Sequence, residues 1–146
     1  MSSSGRPAVL AVLADADRLR AGWSCDSSAD CCQFDVTGRE PYLTEAEWRV
    51  VEAELARQGR RIPAMPDSRV CPFLDGDHRC TIYAARPLGC RTFYCHRASG
   101  PHVPRRDLAD LTRRLEVLSA DPEAKGRSLS SWLTQAGRSS RSGSRR

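Results

Sequence analysis

Long hydrophobic runs are missing from this chain of 146 residues. The longest, Ala8–Ala14, has seven residues, far short of the roughly 18–20 a membrane-spanning helix needs, so an integral membrane protein is not expected. Lysine is nearly absent as well: 22 of the 23 basic residues are arginine and Lys125 stands alone, a usage that reads as genomic base composition. Aromatic residues number only nine, which limits the core to a modest size. Several motifs are also absent: the phosphate-binding P-loop, the glycine fingerprint of dinucleotide sites, the zinc-protease helix, the Cys-x2-Cys knuckle and the Cys-x2-Cys-His haem site. No nucleophile–base set or carboxylate pair stands out, so no enzymatic reaction is assigned.

Acidic residues are lacking only at the C-terminal end. Residues 127–146 carry five arginines and no Asp or Glu, leaving 18 basic and 18 acidic residues in 1–126. The net charge of +5 therefore belongs to a tail. A neutral body does not offer the clustered cations of a nucleic-acid face, and contact with a polyanion is expected only through the Arg-rich tail; a protein partner is left open. Ala8–Ala14 after Arg6 sits at the lower limit for an export signal, but Asp15, Asp17, Arg18 and Arg20 follow at once. Val9, Leu13, Ala16 and Arg20 form a helical stripe that explains the segment better. With no export expected, the cysteines are read as reduced thiols in the cytoplasm, where clusters of them point to metal or redox chemistry.

The length fits a small single domain, read here as residues 7–136 between a disordered N-terminus (1–6) and a disordered Arg/Ser tail (137–146). Pro7 and Gly22 bracket a helix over about 8–21. The stretch 23–37 has no clean period and reads as loop. Thr44-Glu45-Ala46-Glu47 is a capping box, opening a helix over 44–58 with Trp48, Val51 and Leu55 on one face and Gly59 at its end. Pro63, Pro66 and Pro72 keep the next stretch extended, and 71–95 has room only for short elements. Leu108, Leu111, Leu115 and Leu118 form the core-facing stripe of a helix over about 106–119. A shorter helix over 129–135 would pack Trp132 and Leu133 back on the body. The fold class is mainly α, with irregular cysteine-rich loops organised by a metal site.

Those loops carry what is abundant. Seven cysteines, Cys25, Cys31, Cys32, Cys71, Cys80, Cys90 and Cys95, fall in two distant segments. Thiolates select zinc, copper(I) or iron–sulfur clusters over hard cations, and a set of four suits tetrahedral zinc or a cluster. An odd count, a vicinal pair and no export signal weigh against a disulfide framework. Cys71, Cys80 and Cys90 with Cys31 or Cys32 form the leading ligand set; Cys95 and Cys25 are further candidates. Six aromatics (Trp23, Phe34, Phe73, Tyr83, Phe93, Tyr94) lie close to cysteines in the sequence, as an apolar wall for a cluster or as ordinary core. His78, His96 and His102 are candidate nitrogen ligands, although a solvated loop histidine is the commoner case. Arg86 and Arg91 read either as compensation for an anionic thiolate cluster or as surface arginines paired with Asp75 or Asp77, residues that form a turn.

The order Cys71-Pro72-Phe73-Leu74, Cys80-Thr81-Ile82-Tyr83, Arg86-Pro87, Cys90-Arg91-Thr92-Phe93, with a vicinal pair upstream, resembles the YkgJ-type cysteine-cluster family, which is described as zinc- or iron-chelating. The family's N-terminal pattern C-x2-C-x2-C-C appears as Cys25-x2-Ser28-x2-Cys31-Cys32, with Ser28 in place of the second cysteine. The resemblance implies a metal, an iron–sulfur cluster or a zinc ion, and no substrate. A cluster is slightly preferred, because seven thiols without a Cys-x2-Cys knuckle are unlike a structural zinc module. A structural zinc module binding nucleic acid or protein partners and a thiol redox or metal-delivery protein are the alternatives.

Overall fold

The computed structural model describes residues 5–23, 32–93 and 100–143, with side chains through Arg138. Helix α1 (Gly5–Leu19) leads to a single-turn α2 (Phe34–Thr37), a two-residue strand β1 (Tyr42–Leu43) and α3 (Glu45–Arg57). A 3-10 turn (Tyr83–Ala85), single-turn α4 (Leu88–Arg91), α5 (Arg105–Val117), strand β2 (Arg127–Ser128) and α6 (Leu129–Gly143) complete the order. The protein is a small, mainly helical domain. Among the described residues no helix is long and apolar enough to cross a membrane.

Each long helix follows from its apolar spacing. In α1, Val9, Val12, Leu13 and Ala16 are buried, the i, i+3, i+4, i+7 set of one helical face. The helix starts ahead of Pro7 because a proline in the first turn gives up only an N–H that has no partner there. Helix α3 begins with the expected capping box: Thr44 Oγ1 accepts from the Glu47 N–H at 3.3 Å, and Glu47 Oε1 accepts from the Thr44 N–H at 3.0 Å. It ends at Gln58–Gly59, where Gly59 takes φ +67° and Arg60 N–H closes on Leu55 O at 2.9 Å, a glycine-terminated helix end.

The leucine stripe of α5 is core: Leu111 and Leu115 are fully buried, with Leu108 and Leu118 at the margin. Burying side chains of this size is worth about 2 kcal/mol each. Helices α1, α3 and α5 pack on one another around them. The last helix closes the far side. Trp132 stacks on Trp48 with centroids 5.8 Å apart, and its indole N–H donates to Leu43 O at 2.9 Å. Strand β1 pairs antiparallel with β2, Tyr42 opposite Ser128 and Leu43 opposite Arg127, so α6 starts beside α3.

Of three elements, two depart from the expected outline and the third is one of the short pieces expected within 71–95. Phe34–Thr37, read as loop, is one helical turn stopped by Gly38 in the left-handed region. Leu88–Arg91 is likewise one turn, and α6 runs past Gln135 into the Gly/Ser/Arg segment. Single turns are too short to show a period, and extending a formed helix costs far less than nucleating one.

Glu47 joins two of these elements. Its side chain is 3 % exposed; besides the α3 cap, Oε2 accepts the Leu88 N–H at 2.6 Å, at the first residue of α4. Burial pushes its carboxyl above the ordinary 4.5, opposed by the Thr44 and Leu88 hydrogen bonds and by Arg91. A carboxyl that holds its proton more tightly when folded contributes most below pH 4.5 and loses that contribution as the pH rises through its folded value. Glu47→Ala should lower stability by about 3 kcal/mol in urea unfolding, because two buried N–H groups lose their acceptor. The variant should also lack Glu47's share of the decline in stability above pH 4.5.

Candidate metal centre

Of the seven candidate thiols, the described residues include Cys32, Cys71, Cys80 and Cys90. Cys25, Cys31 and Cys95 lie outside them, as do Ser28, Tyr94 and His96. The four described cysteines are spread over three local structures.

Cys32 and Cys71 meet. The segment after Cys32 pairs antiparallel with the segment before Cys71 through the bridge Gln33–Val70. Phe34 N–H donates to Arg69 O at 2.9 Å and Cys71 N–H to Cys32 O at 2.6 Å. Cys32 and Cys71 are therefore directly opposite in register, and opposed residues of an antiparallel pair carry their side chains on one face. Cys71 is buried in the same cluster as Phe34 and Phe73, and Cys32 and Cys80 pack at its edge.

Cys80 closes a tight loop from Cys71. It bridges to Leu74, and Thr81 donates to Phe73 O from its N–H at 2.7 Å and its hydroxyl at 2.8 Å. Asp75 turns the chain between them, its Oδ1 accepting from the N–H groups of Asp77 (2.8 Å) and Arg79 (3.0 Å). This is the turn expected for the Asp-Gly-Asp sequence. His78 is exposed in it with φ +60°, and His102 is exposed as well.

Cys90 lies on α4, in the wall of a groove of about 550 Å³ that Pro41, Tyr42, Glu47, Leu88 and Phe93 also line. Lys125, on the groove's rim, reaches the buried Glu116 at 3.3 Å. Among the described residues no three His, Cys, Asp or Glu side chains are placed to hold one metal ion. By backbone placement Cys32 and Cys71 are the two described cysteines set opposite each other. Two cysteines opposed in backbone register beside buried phenyl rings fit a soft metal by donor type and by surroundings.

Two expectations change. Arg91 neither compensates thiolates in the described structure nor pairs with Asp75 or Asp77. It is 6 % exposed, and its guanidinium donates to Arg86 O (2.7 Å), Ala84 O (2.8 Å) and Asp17 Oδ2 (2.6 Å), holding the chain ahead of Cys90 against α1. Arg86 lies over the Tyr83 ring at 3.8 Å and donates to Tyr83 O. Of the proposed aromatic wall, Phe34 and Phe73 are buried but Tyr83 is 62 % exposed. Glu47 was read from the sequence only as part of the α3 capping box; its reach to Leu88, and that of Asp17 to Arg91, span 41 and 74 residues and leave no local signal.

The ends of the two cysteine segments outside the described residues also meet. Trp23 donates its indole N–H to Pro101 O at 2.5 Å. Gly100, at φ +112°, approaches so closely that a Cβ there would lie 2.4 Å from Gly22 O and 3.1 Å from Trp23 Cα. Gly100→Ala should cost about 2 kcal/mol, combining a left-handed backbone with overlap against main chain. Gly76→Ala, in open space, should change stability by under about 0.5 kcal/mol; thermal unfolding of both variants checks the contrast.

A family model described as "CxxCxxCC: putative zinc- or iron-chelating domain" matches residues 24–119, about two thirds of the chain and all seven cysteines. No curated protein and no solved structure matches. With the match covering about two thirds of its length, the chain belongs to the CxxCxxCC family, described as zinc- or iron-chelating domains.

Proposed function

We propose that this protein holds a thiolate-bound metal at the Cys32–Cys71 pair, with further ligands from Cys25, Cys31 and Cys95, and that the metal is iron in an iron–sulfur cluster. The observation that carries the reading is the register of residues 32–34 against 69–71, which sets two cysteines opposite each other at the margin of the core. The contact of Gly22–Trp23 with Gly100–Pro101 supports it, because the chain enters one remaining cysteine segment where it leaves the other. Seven thiols without a Cys-x2-Cys knuckle favour a cluster over a single structural zinc. Bound there, a cluster supplies one-electron chemistry, whereas zinc supplies only a cross-link. The chain's own part is to hold thiols: Cys71 in an apolar wall that limits water, Cys32 and Cys80 at its edge. Metal bound between distant segments also stabilises the fold, since the free energy of binding at such a site adds to that of folding.

Protein purified without oxygen should be brown and contain iron with acid-labile sulfide. Cys71→Ser should lower its metal content at least about tenfold and make it protease-sensitive. Colourless protein with zinc would assign the structural-zinc reading instead. Folded, metal-free protein would sink both.

A further inference from the structure

Two residues before Cys71 the backbone does something costly. Arg69 has φ +61°, the left-handed region in which glycine is the usual residue and a side chain is strained. Its N–H closes a turn onto Pro66 O at 3.0 Å, and its carbonyl accepts the Phe34 N–H at 2.9 Å. The chain therefore turns at Arg69 and enters the pairing with residues 32–34 at once.

The side chain explains why an arginine is there. One guanidinium nitrogen, Nη2, pairs with Glu40 Oε2 and the other, Nη1, donates to Ser130 Oγ at 3.2 Å. Glu40 in turn accepts from the Ser130 N–H at 2.7 Å and from its hydroxyl at 2.9 Å. Ser130 is in the first turn of α6, so Glu40 also caps that helix. The Glu40 side chain is only 11 % exposed, so this is a partly shielded ion pair with each Glu40 oxygen engaged. Three separate stretches of chain, around 40, 69 and 130, are locked together at the residue that sets the register of Cys71.

We infer that Glu40, Arg69 and Ser130 form a clamp that positions Cys71 opposite Cys32 for metal binding and ties the state of that pair to the docking of α6. The inference rests on the metal-binding reading above. Slipping the pairing by one residue would turn Cys71 to the other face, and the clamp holds the strand against that slip. None of the three side chains is a ligand; they are positioning residues. Coupling between sites is reciprocal, so a bound metal protects α6 just as the docked helix protects the metal.

The test uses the metal-loaded protein as purified. Release of its native metal to excess EDTA is timed, the thiolate-to-metal absorption is recorded, and hydrogen exchange in α6 is measured before and after release. Glu40→Gln removes the charge; Arg69→Gly removes the guanidinium while relieving the backbone. Both should release metal about tenfold faster than wild type, as outer-shell changes do, with altered absorption and faster exchange in α6. Arg114→Gln, which removes the ion pair to Asp15 between α5 and α1, should release metal at the wild-type rate. Should Glu40→Gln fail to fold, Arg69→Gly and Ser130→Ala carry the comparison.

Wild-type release and absorption in the clamp variants would overturn the clamp while leaving the metal reading intact. Equal acceleration by Arg114→Gln would also overturn it, by showing that any loss of stability suffices. Wild-type protein without metal would overturn both.

Discussion

A single buried carboxylate holds much of this molecule in place. Glu47 takes the Thr44 N–H with one oxygen and the Leu88 N–H with the other, so the same side chain starts α3 and fixes the start of α4. Burying a carboxylate is expensive unless its oxygens are engaged, and here both are. From α4 the chain of constraint continues through Arg91, whose guanidinium ties the residues before Cys90 to Asp17 of α1. Two ionisable groups in the interior thus connect a helix cap, a cysteine-bearing turn and the first helix. The apolar core alone would leave their relative positions loosely determined, because hydrophobic contact has little direction.

The same device recurs at the edges. Glu45 accepts the Ala120 N–H at 2.9 Å and Ser119 Oγ the Ala46 N–H at 3.1 Å, joining the start of α3 to the end of α5. Glu40 does this for α6. In a domain with few aromatics, side-chain oxygens at helix starts supply direction that a larger core would supply by shape. Loops between these points then need to order only short stretches, which keeps their entropic cost small.

How much was legible in the sequence follows from distance along the chain. Helices α1, α3 and α5 were visible because their signals are local: an apolar stripe, a capping box four residues long, a terminal glycine. The turns at 34–37 and 88–91 were not, since one turn has no period and α4 is capped from 41 residues away. At the site the residue types were readable and the geometry was not. Seven thiols and their order placed the chain in its family, yet nothing local opposes Cys32 to Cys71. That register is set by Phe34 and Arg69, and by a left-handed arginine that no propensity scale would place there. Arg91 was misjudged for the same reason: its partner Asp17 lies 74 residues away and reads locally as the end of a helix.

The near-exclusive use of arginine has a practical side. Arg91 meets two carbonyls and a carboxylate with one planar fork, and Arg69 spans Glu40 and Ser130 in the same way, which a lysine ammonium cannot do. The chain is left with one side-chain amine, Lys125, 77 % exposed at the rim of the groove that holds Cys90. An amine-reactive dye or cross-linker therefore has one side-chain target, at a known point, in addition to the α-amine. The protein carries a built-in attachment site for distance measurements between that groove and whatever the cysteines bind.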